Sequence, residues 1–100
     1  MDGFQAQATD LKVGKYDLTV HLVDGRTIAV PLAWFPRLSH GTVKERRNWR
    51  VIGQGEGIHW PDLDEDIRVG SLLVGKLSGE SQASFKRWLE SRPPRRNRKR

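Results

Sequence analysis

Tyr16-Asp17-Leu18-Thr19-Val20-His21-Leu22-Val23-Asp24-Gly25-Arg26-Thr27-Ile28-Ala29-Val30 is the stretch that decides the fold. Tyr16, Leu18, Val20 and Leu22 alternate with Asp17, Thr19 and His21, the period-two pattern of a strand with one buried face. Asp24-Gly25 follows at once. It predicts a two-residue hairpin turn, because both central positions of such a turn must tolerate positive φ. Arg26 to Val30 is the returning strand, ended by Pro31, which has no N–H for a ladder. Leu11 and Val13 suggest a further short strand before the hairpin.

Beyond Pro31 the pattern changes. Pro31 to Leu38 is a bounded apolar segment in which Pro36 can open a helical turn, proline being tolerated at the first helical position. His40-Gly41 breaks it. Thr42-Val43-Lys44-Glu45 reads as a capping box that starts a helix through about Asn48. Trp49 to Ile52 and Gly57 to Trp60 read as strands joined by a glycine-rich turn, Gly53-Gln54-Gly55. Ile67, Val69, Leu72 and Leu73 predict a short segment packed back on the sheet, with a helical turn from Ser71 to Lys76. From Ser81 to Ser91, Phe85, Trp88 and Leu89 stand at i, i+3 and i+4, with Lys86, Arg87 and Glu90 off that stripe, which predicts an amphipathic helix. Pro93-Pro94 stops it.

Charge divides the chain in two. Residues 92–100 hold Arg92, Arg95, Arg96, Arg98, Lys99 and Arg100; without these six of its 18 basic residues the chain has twelve against twelve acids. The net charge of +6 therefore belongs to a tail expected to be disordered, and residues 1–91 form one neutral domain. With no cysteine, disulfides, thiolate metal sites and a cysteine nucleophile are excluded, which fits a cytoplasmic location. No apolar run approaches a membrane span, and Met1 to Gln5 lacks the marks of a signal peptide. No membrane association is expected.

Glu56 to Ile67 is the densest chemistry: a histidine, a tryptophan, a proline and the acids Glu56, Asp62, Asp64, Glu65 and Asp66. Asp62-x-Asp64-x-Asp66 has the opening spacing of a calcium loop, but that loop needs glycine where Ile67 stands and a bidentate glutamate where Leu73 stands. Zinc would want more histidine, and His21 and His40 have no helical i, i+4 pairing. Glu56 and His59 are acid–base types, yet nothing nominates a nucleophile or an oxyanion donor beside them. Gly53-x-Gly55-x-Gly57 lacks the lysine and helix start of a phosphate loop. The favoured reading is a corner with Trp60, Leu63 and Ile67 turned inward and Asp62, Asp64 and Glu65 solvated. Trp34 and Trp49 are expected in the core with Trp60. Arg37, Arg46 and Arg47 are expected at the surface, able to pair with the acids of 62–66 or with a partner. For the tail two readings stay level: binding of phosphate backbones by counterion release, or a solvated or acid-docking arm.

Several of these pieces occur in a set order: Asp24-Gly25-Arg26, Val30-Pro31-Leu32, Trp34-Phe35-Pro36-Arg37-Leu38, Asn48-Trp49-Arg50, then Gly55 through Ile67. In them the chain resembles the bacterial domain-of-unknown-function family 2442, over roughly residues 9–75. The resemblance implies a small α+β fold and a neighbouring gene from the unknown-function family 4160. It further implies a toxin–antitoxin-like pairing with this chain as the antitoxin-like member. Some relatives add a helix-turn-helix domain; after Leu77 this chain has too little for one. No catalytic residues come with the resemblance.

The expectation is thus an α+β domain with a largely antiparallel sheet of three to five strands and two or three short helices, including ones near 42–48 and 81–91. It acts as a non-enzymatic interaction module for a small cognate protein, without cofactor, metal or catalytic residues. Its contacts are Arg37, Arg46, Arg47 and the tail cations from Arg92 to Arg100 on one side, and the acidic surface Asp62, Asp64 and Glu65 on the other. The runner-up is a nucleic-acid-binding regulator, non-specific if it acts through the tail alone. A metal-assisted enzyme at His59 and Asp62 comes third.

Overall fold

The structure, a computed structural model, describes residues 6–92; the tail cations Arg95, Arg96, Arg98, Lys99 and Arg100, the Pro93-Pro94 stop and Met1 to Gln5 lie outside the described residues. Strands β1 (Ala8–Val13), β2 (Asp17–Leu22) and β3 (Thr27–Pro31) form one antiparallel sheet in that order. Leu18, Val20 and Leu22 are buried, as their alternation requires. The turn differs from the two-residue expectation. Leu22 N–H donates to the Arg26 carbonyl (2.8 Å) and Gly25 N–H to the Leu22 carbonyl (3.0 Å), leaving a three-residue loop. Gly25 alone takes positive φ, 94°, the arrangement of a turn followed by one left-handed residue. Asp24 instead accepts from Arg26 N–H and Nε at 3.0 and 2.9 Å. Tyr16, expected on the apolar face, lies before β2 in the turn closed by Gly14 N–H to the Asp17 carbonyl (2.8 Å), and is 71% exposed.

The middle of the chain is helical and separates two sheets. A 3-10 turn (Leu32–Trp34) leads to α1 (Pro36–His40), with Pro36 in its first turn, and then α2 (Val43–Arg47). The capping box forms: Thr42 Oγ1 accepts from Glu45 N–H (3.1 Å) and Glu45 Oε1 from Thr42 N–H (2.8 Å). Strands β4 (Arg50–Ile52), β5 (Gly57–Trp60) and β6 (Glu65–Arg68) make a second antiparallel sheet. The expected sheet of three to five strands is therefore two sheets of three. The helical stretch carries the chain away after β3, and β6 is an extra strand that the run of acids concealed.

One core joins the sheets. Leu18 and Val20 from the first, Ile58, Trp60 and Ile67 from the second, and Leu38 and Leu63 from the connections belong to a single buried cluster. Trp34 and Trp49 are only partly buried against it. Gly55 ties the two sheets: its carbonyl accepts Ala8 N–H at 2.6 Å. A Cβ there would stand 2.8 Å from the Ala8 oxygen, and the residue sits at φ +90°, so only glycine permits the approach.

After β6 comes α3 (Val69–Leu73), ended by Gly75 at φ 74°. Gly75 N–H bonds the Leu72 carbonyl and Lys76 N–H the Ser71 carbonyl, a helix-terminating pair of bonds that satisfies free carbonyls. The helix expected from Ser71 to Lys76 thus starts and stops earlier. α4 (Gln82–Ser91) is capped by Ser81, whose Oγ accepts from Ser84 N–H at 3.1 Å. It contains no fully buried residue. Helices exceed the expected two or three: there are four among the described residues, besides the 3-10 turn. None of them is long and apolar enough to cross a membrane.

Candidate functional site

The acid-rich corner is a hairpin. In β5 and β6 the register opposes Ile58 to Ile67, His59 to Asp66 and Trp60 to Glu65. Alternation turns Ile58, Trp60 and Ile67 inward and leaves His59 and Asp66 on the other face. His59 Nδ1 and Asp66 Oδ1 therefore meet at 2.5 Å. Asp62 accepts from Asn48 Nδ2 at 3.0 Å. The Asp64 side chain is 89% exposed on the one non-glycine backbone at positive φ (51°) among the described residues. Among those residues no three His, Asp or Glu side chains gather as metal ligands would.

Glu65 departs from the expectation of a solvated acid. The same alternation that buries Ile67 places Glu65 on the core side of β6, partly buried at the edge of a cavity of about 290 Å³ that Phe35, Ile67 and Leu72 also line. Burial pushes its carboxyl up to about 7; Arg37 pulls it down, while Glu80, Asp66 and Asp64 push it further up. The other two members of the proposed acidic surface, Asp62 and Asp64, are exposed.

Arg37 is not a surface arginine either. Its side chain is 15% exposed and reaches Glu80 Oε2 at 2.5 Å through one guanidinium nitrogen. It also donates to the carbonyls of Leu63 (3.3 Å) and Asp64 (3.1 Å), with the Asp64 carboxylate 3.7 Å away. The expected pairing with the acids of 62–66 exists, but the chief partner is Glu80. That hydrogen-bonded pair raises the Arg37 pKa and lowers that of Glu80, which also accepts from Ser84 Oγ at 2.8 Å.

Arg92 completes the clamp. It bonds Glu45 Oε1 at 2.7 Å, and its guanidinium lies 4.6 Å from the Trp88 ring centre, with that of Arg37 5.1 Å from the same ring. One carboxylate thus closes the capping box of α2 and holds the end of α4. Burial opposes ionisation of Glu45, but the Arg92 and Thr42 hydrogen bonds outweigh it and keep its pKa low. Grouped with the tail by charge, Arg92 is here a packed side chain.

Arg46 and Arg47 stand elsewhere. With Val13, Gly14, Lys15 and Val43 they line a groove of about 390 Å³ between the end of β1 and α2. Trp60 Nε1 donates to the Arg46 carbonyl at 3.0 Å and so ties this helix to the core. Val43 is 58% exposed. Among the described residues none of Lys15, Arg46 and Arg47 has a carboxylate partner; Lys15 Nζ sits 5.5 Å from the Tyr16 ring centre. Sequence reasoning missed Lys15, Val13 and Val43. The available signal was an unexplained valine just inside a capping box.

A family model described as a protein of unknown function (DUF2442) matches residues 8–78. The chain is also similar to the crystal structure of a protein of unknown function from Rhodospirillum rubrum ATCC 11170, with 24% identity and a TM-score of 0.67. That match covers 80% of this chain and 96% of the other, and speaks for the fold alone. None of the curated proteins matches the chain.

Proposed function

The chain belongs to the DUF2442 family of proteins of unknown function, and we propose that it is a non-enzymatic interaction module, an antitoxin-like or regulatory partner of a small cognate protein. The observation that carries this reading is the uneven pairing of its cations. Arg37 and Arg92 are tied into the clamp around Trp88. Lys15, Arg46 and Arg47 surround the Val13–Val43 floor with no carboxylate partner among the described residues. Unpaired cations beside exposed apolar surface suit an interface: charge steers and selects the partner, and apolar contact holds it.

A second reading, a nucleic-acid-binding regulator, draws on one further fact. Arg92 is bonded to Glu45, the residue next to Arg46 and Arg47, and the sequence continues from there into Arg95, Arg96, Arg98, Lys99 and Arg100. Cations so arranged would bind phosphates with a steep salt dependence.

The resemblance implies a family 4160 protein as the cognate partner, and co-expression with it tests the first reading. The two proteins should elute together in gel filtration, and the Lys15→Glu, Arg46→Glu, Arg47→Glu variant should elute apart. Separate elution of the unaltered proteins would overturn it. The second reading requires that a duplex oligonucleotide bind the full chain, and that truncation after Arg92 and the Arg46→Glu, Arg47→Glu change each weaken that binding.

A further inference from the structure

We propose that the groove between β1 and α2 receives an extended acidic peptide segment, with one apolar side chain seated on Val13 and Val43 and flanking carboxylates on Lys15, Arg46 and Arg47. The proposal rests on the reading of the protein as a partner-binding module and names the form that the partner takes at this site.

Three observations select the occupant. The first is charge: three cations border the groove, and among the described residues none has a carboxylate partner. A ligand carrying carboxylates supplies what the fold does not, through charge-assisted hydrogen bonds that the two guanidinium groups can make bidentate. The second is the floor. Val43 is 58% exposed although it opens a capped helix beside the core, and the partly buried Val13 faces the same space. At about 390 Å³ the groove falls within the range of about 300–1,000 Å³ usual for ligand pockets, and a leucine-sized side chain would fit in it. The third is shape. Within its sheet β1 pairs with β2 alone, and the Gly55 carbonyl takes its outer edge at Ala8. An extended chain can therefore add only beyond Ala8, toward Val13 and the groove, as in strand-addition modes of peptide recognition.

The apolar floor also separates a peptide from a nucleic acid. A phosphate backbone gains nothing from two valines, and bases want aromatic platforms. Tyr16 is the aromatic next to the groove. It lies in the turn beyond β1, with Lys15 over its ring. Tyr16 is not among the residues that line the groove; within that lining an acidic peptide with an apolar anchor uses both the valines and the cations, and a nucleic acid would use the cations alone.

The test is methyl and amide NMR on the full chain with three probes: a short synthetic peptide alternating aspartate with leucine, the same peptide with glycine for leucine, and an oligothymidylate. The leucine peptide should shift Val13 and Val43 saturably. The glycine peptide should bind about tenfold more weakly, the loss of roughly one good contact. The variant Arg46→Gln, Arg47→Gln removes the two charges, keeps polar side chains and leaves the Arg46 carbonyl for Trp60. It too should lose about tenfold, with the spectrum of the folded core unchanged. Equal binding of the two peptides, shifts confined to the tail, or an oligothymidylate that moves Val13 and Val43 in preference to the peptide would overturn the proposal. Failure here is distinct from failure of the module reading. If the cognate protein co-elutes but the peptide does not bind, only the acidic-segment proposal is lost. If the peptide binds but nothing co-elutes, the groove stands and the cognate pairing falls.

Discussion

Replacing Glu65 by glutamine should stabilise the protein by a margin that grows as pH rises from the ordinary carboxyl range and is complete above about 7. Glu65 is partly buried at the edge of the cavity beside Phe35, with no hydrogen-bond donor or ion-pair partner among the described residues. Its carboxyl rises from an ordinary 4.5 to about 7. A raised carboxyl pKa means that the folded state holds a proton which the unfolded chain has released. Between those two values the folded state binds more protons, so stability falls as pH rises and the penalty is complete above about 7. The span from 4.5 to about 7 sets a ceiling of about 3.4 kcal/mol at ~1.36 kcal/mol per tenfold change in acidity. Water still reaches part of the carboxyl, and that screening should reduce the penalty to about 1–2 kcal/mol. Glutamine keeps the shape and cannot ionise. Urea denaturation of Glu65→Gln and the unaltered protein should give nearly equal stabilities at a pH near the ordinary carboxyl value, with the variant ahead by that margin at mildly alkaline pH. A constant difference across the range, or a variant less stable in alkali, would refute the placement of Glu65 on the core face of β6.

Trp60 is fully buried and bonds the Arg46 carbonyl, so Trp60→Ala should cost about 3–5 kcal/mol in the same denaturation assay. Trp60→Phe should cost less. Gly55→Ala meets the Ala8 oxygen at 2.8 Å and a φ of +90°, and should lower stability by about 1–3 kcal/mol, whereas Gly79→Ala, with open space around it, should be nearly neutral. Glu80→Gln removes the carboxylate that holds Arg37. Because α4 has no fully buried residue, hydrogen exchange should quicken in that helix and leave β2 and β5 protected. Glu80 and Glu45 both have lowered pKa values, so their contribution is present above the ordinary carboxyl range and lost as pH falls through the depressed values. Acid should therefore loosen α4 first, as seen in its exchange rates.

Much of the fold was legible because local patterns need no partner to be read. The alternation of β2, the capping box at Thr42 and the proline at the start of α1 each follow from backbone chemistry within a few residues. The stripe of Phe85, Trp88 and Leu89 likewise predicted α4. It did not show how that helix is held: through Arg37, Arg92 and Glu80, residues 43 and more apart from their partners in two cases. The hairpin turn was misjudged because two-residue and three-residue loops share the Asp-Gly pair. β6 was hidden because Glu65, Asp66 and Arg68 leave Ile67 as its one apolar member.

The candidate site divides in the same way. Sequence alone determined that charge would matter, where the cations and acids lie along the chain, and that Trp60 belongs to the core. It could not say which charges are used up by the fold, because that depends on which elements meet. Tertiary structure took Arg37 and Arg92 into a clamp, turned Glu65 toward the core through the register of β6, and left Lys15, Arg46 and Arg47 around two valines. The physical reason is that pairing acts over a few ångströms in space. Only the packed chain brings residue 15 beside residue 46, or residue 92 beside residue 45.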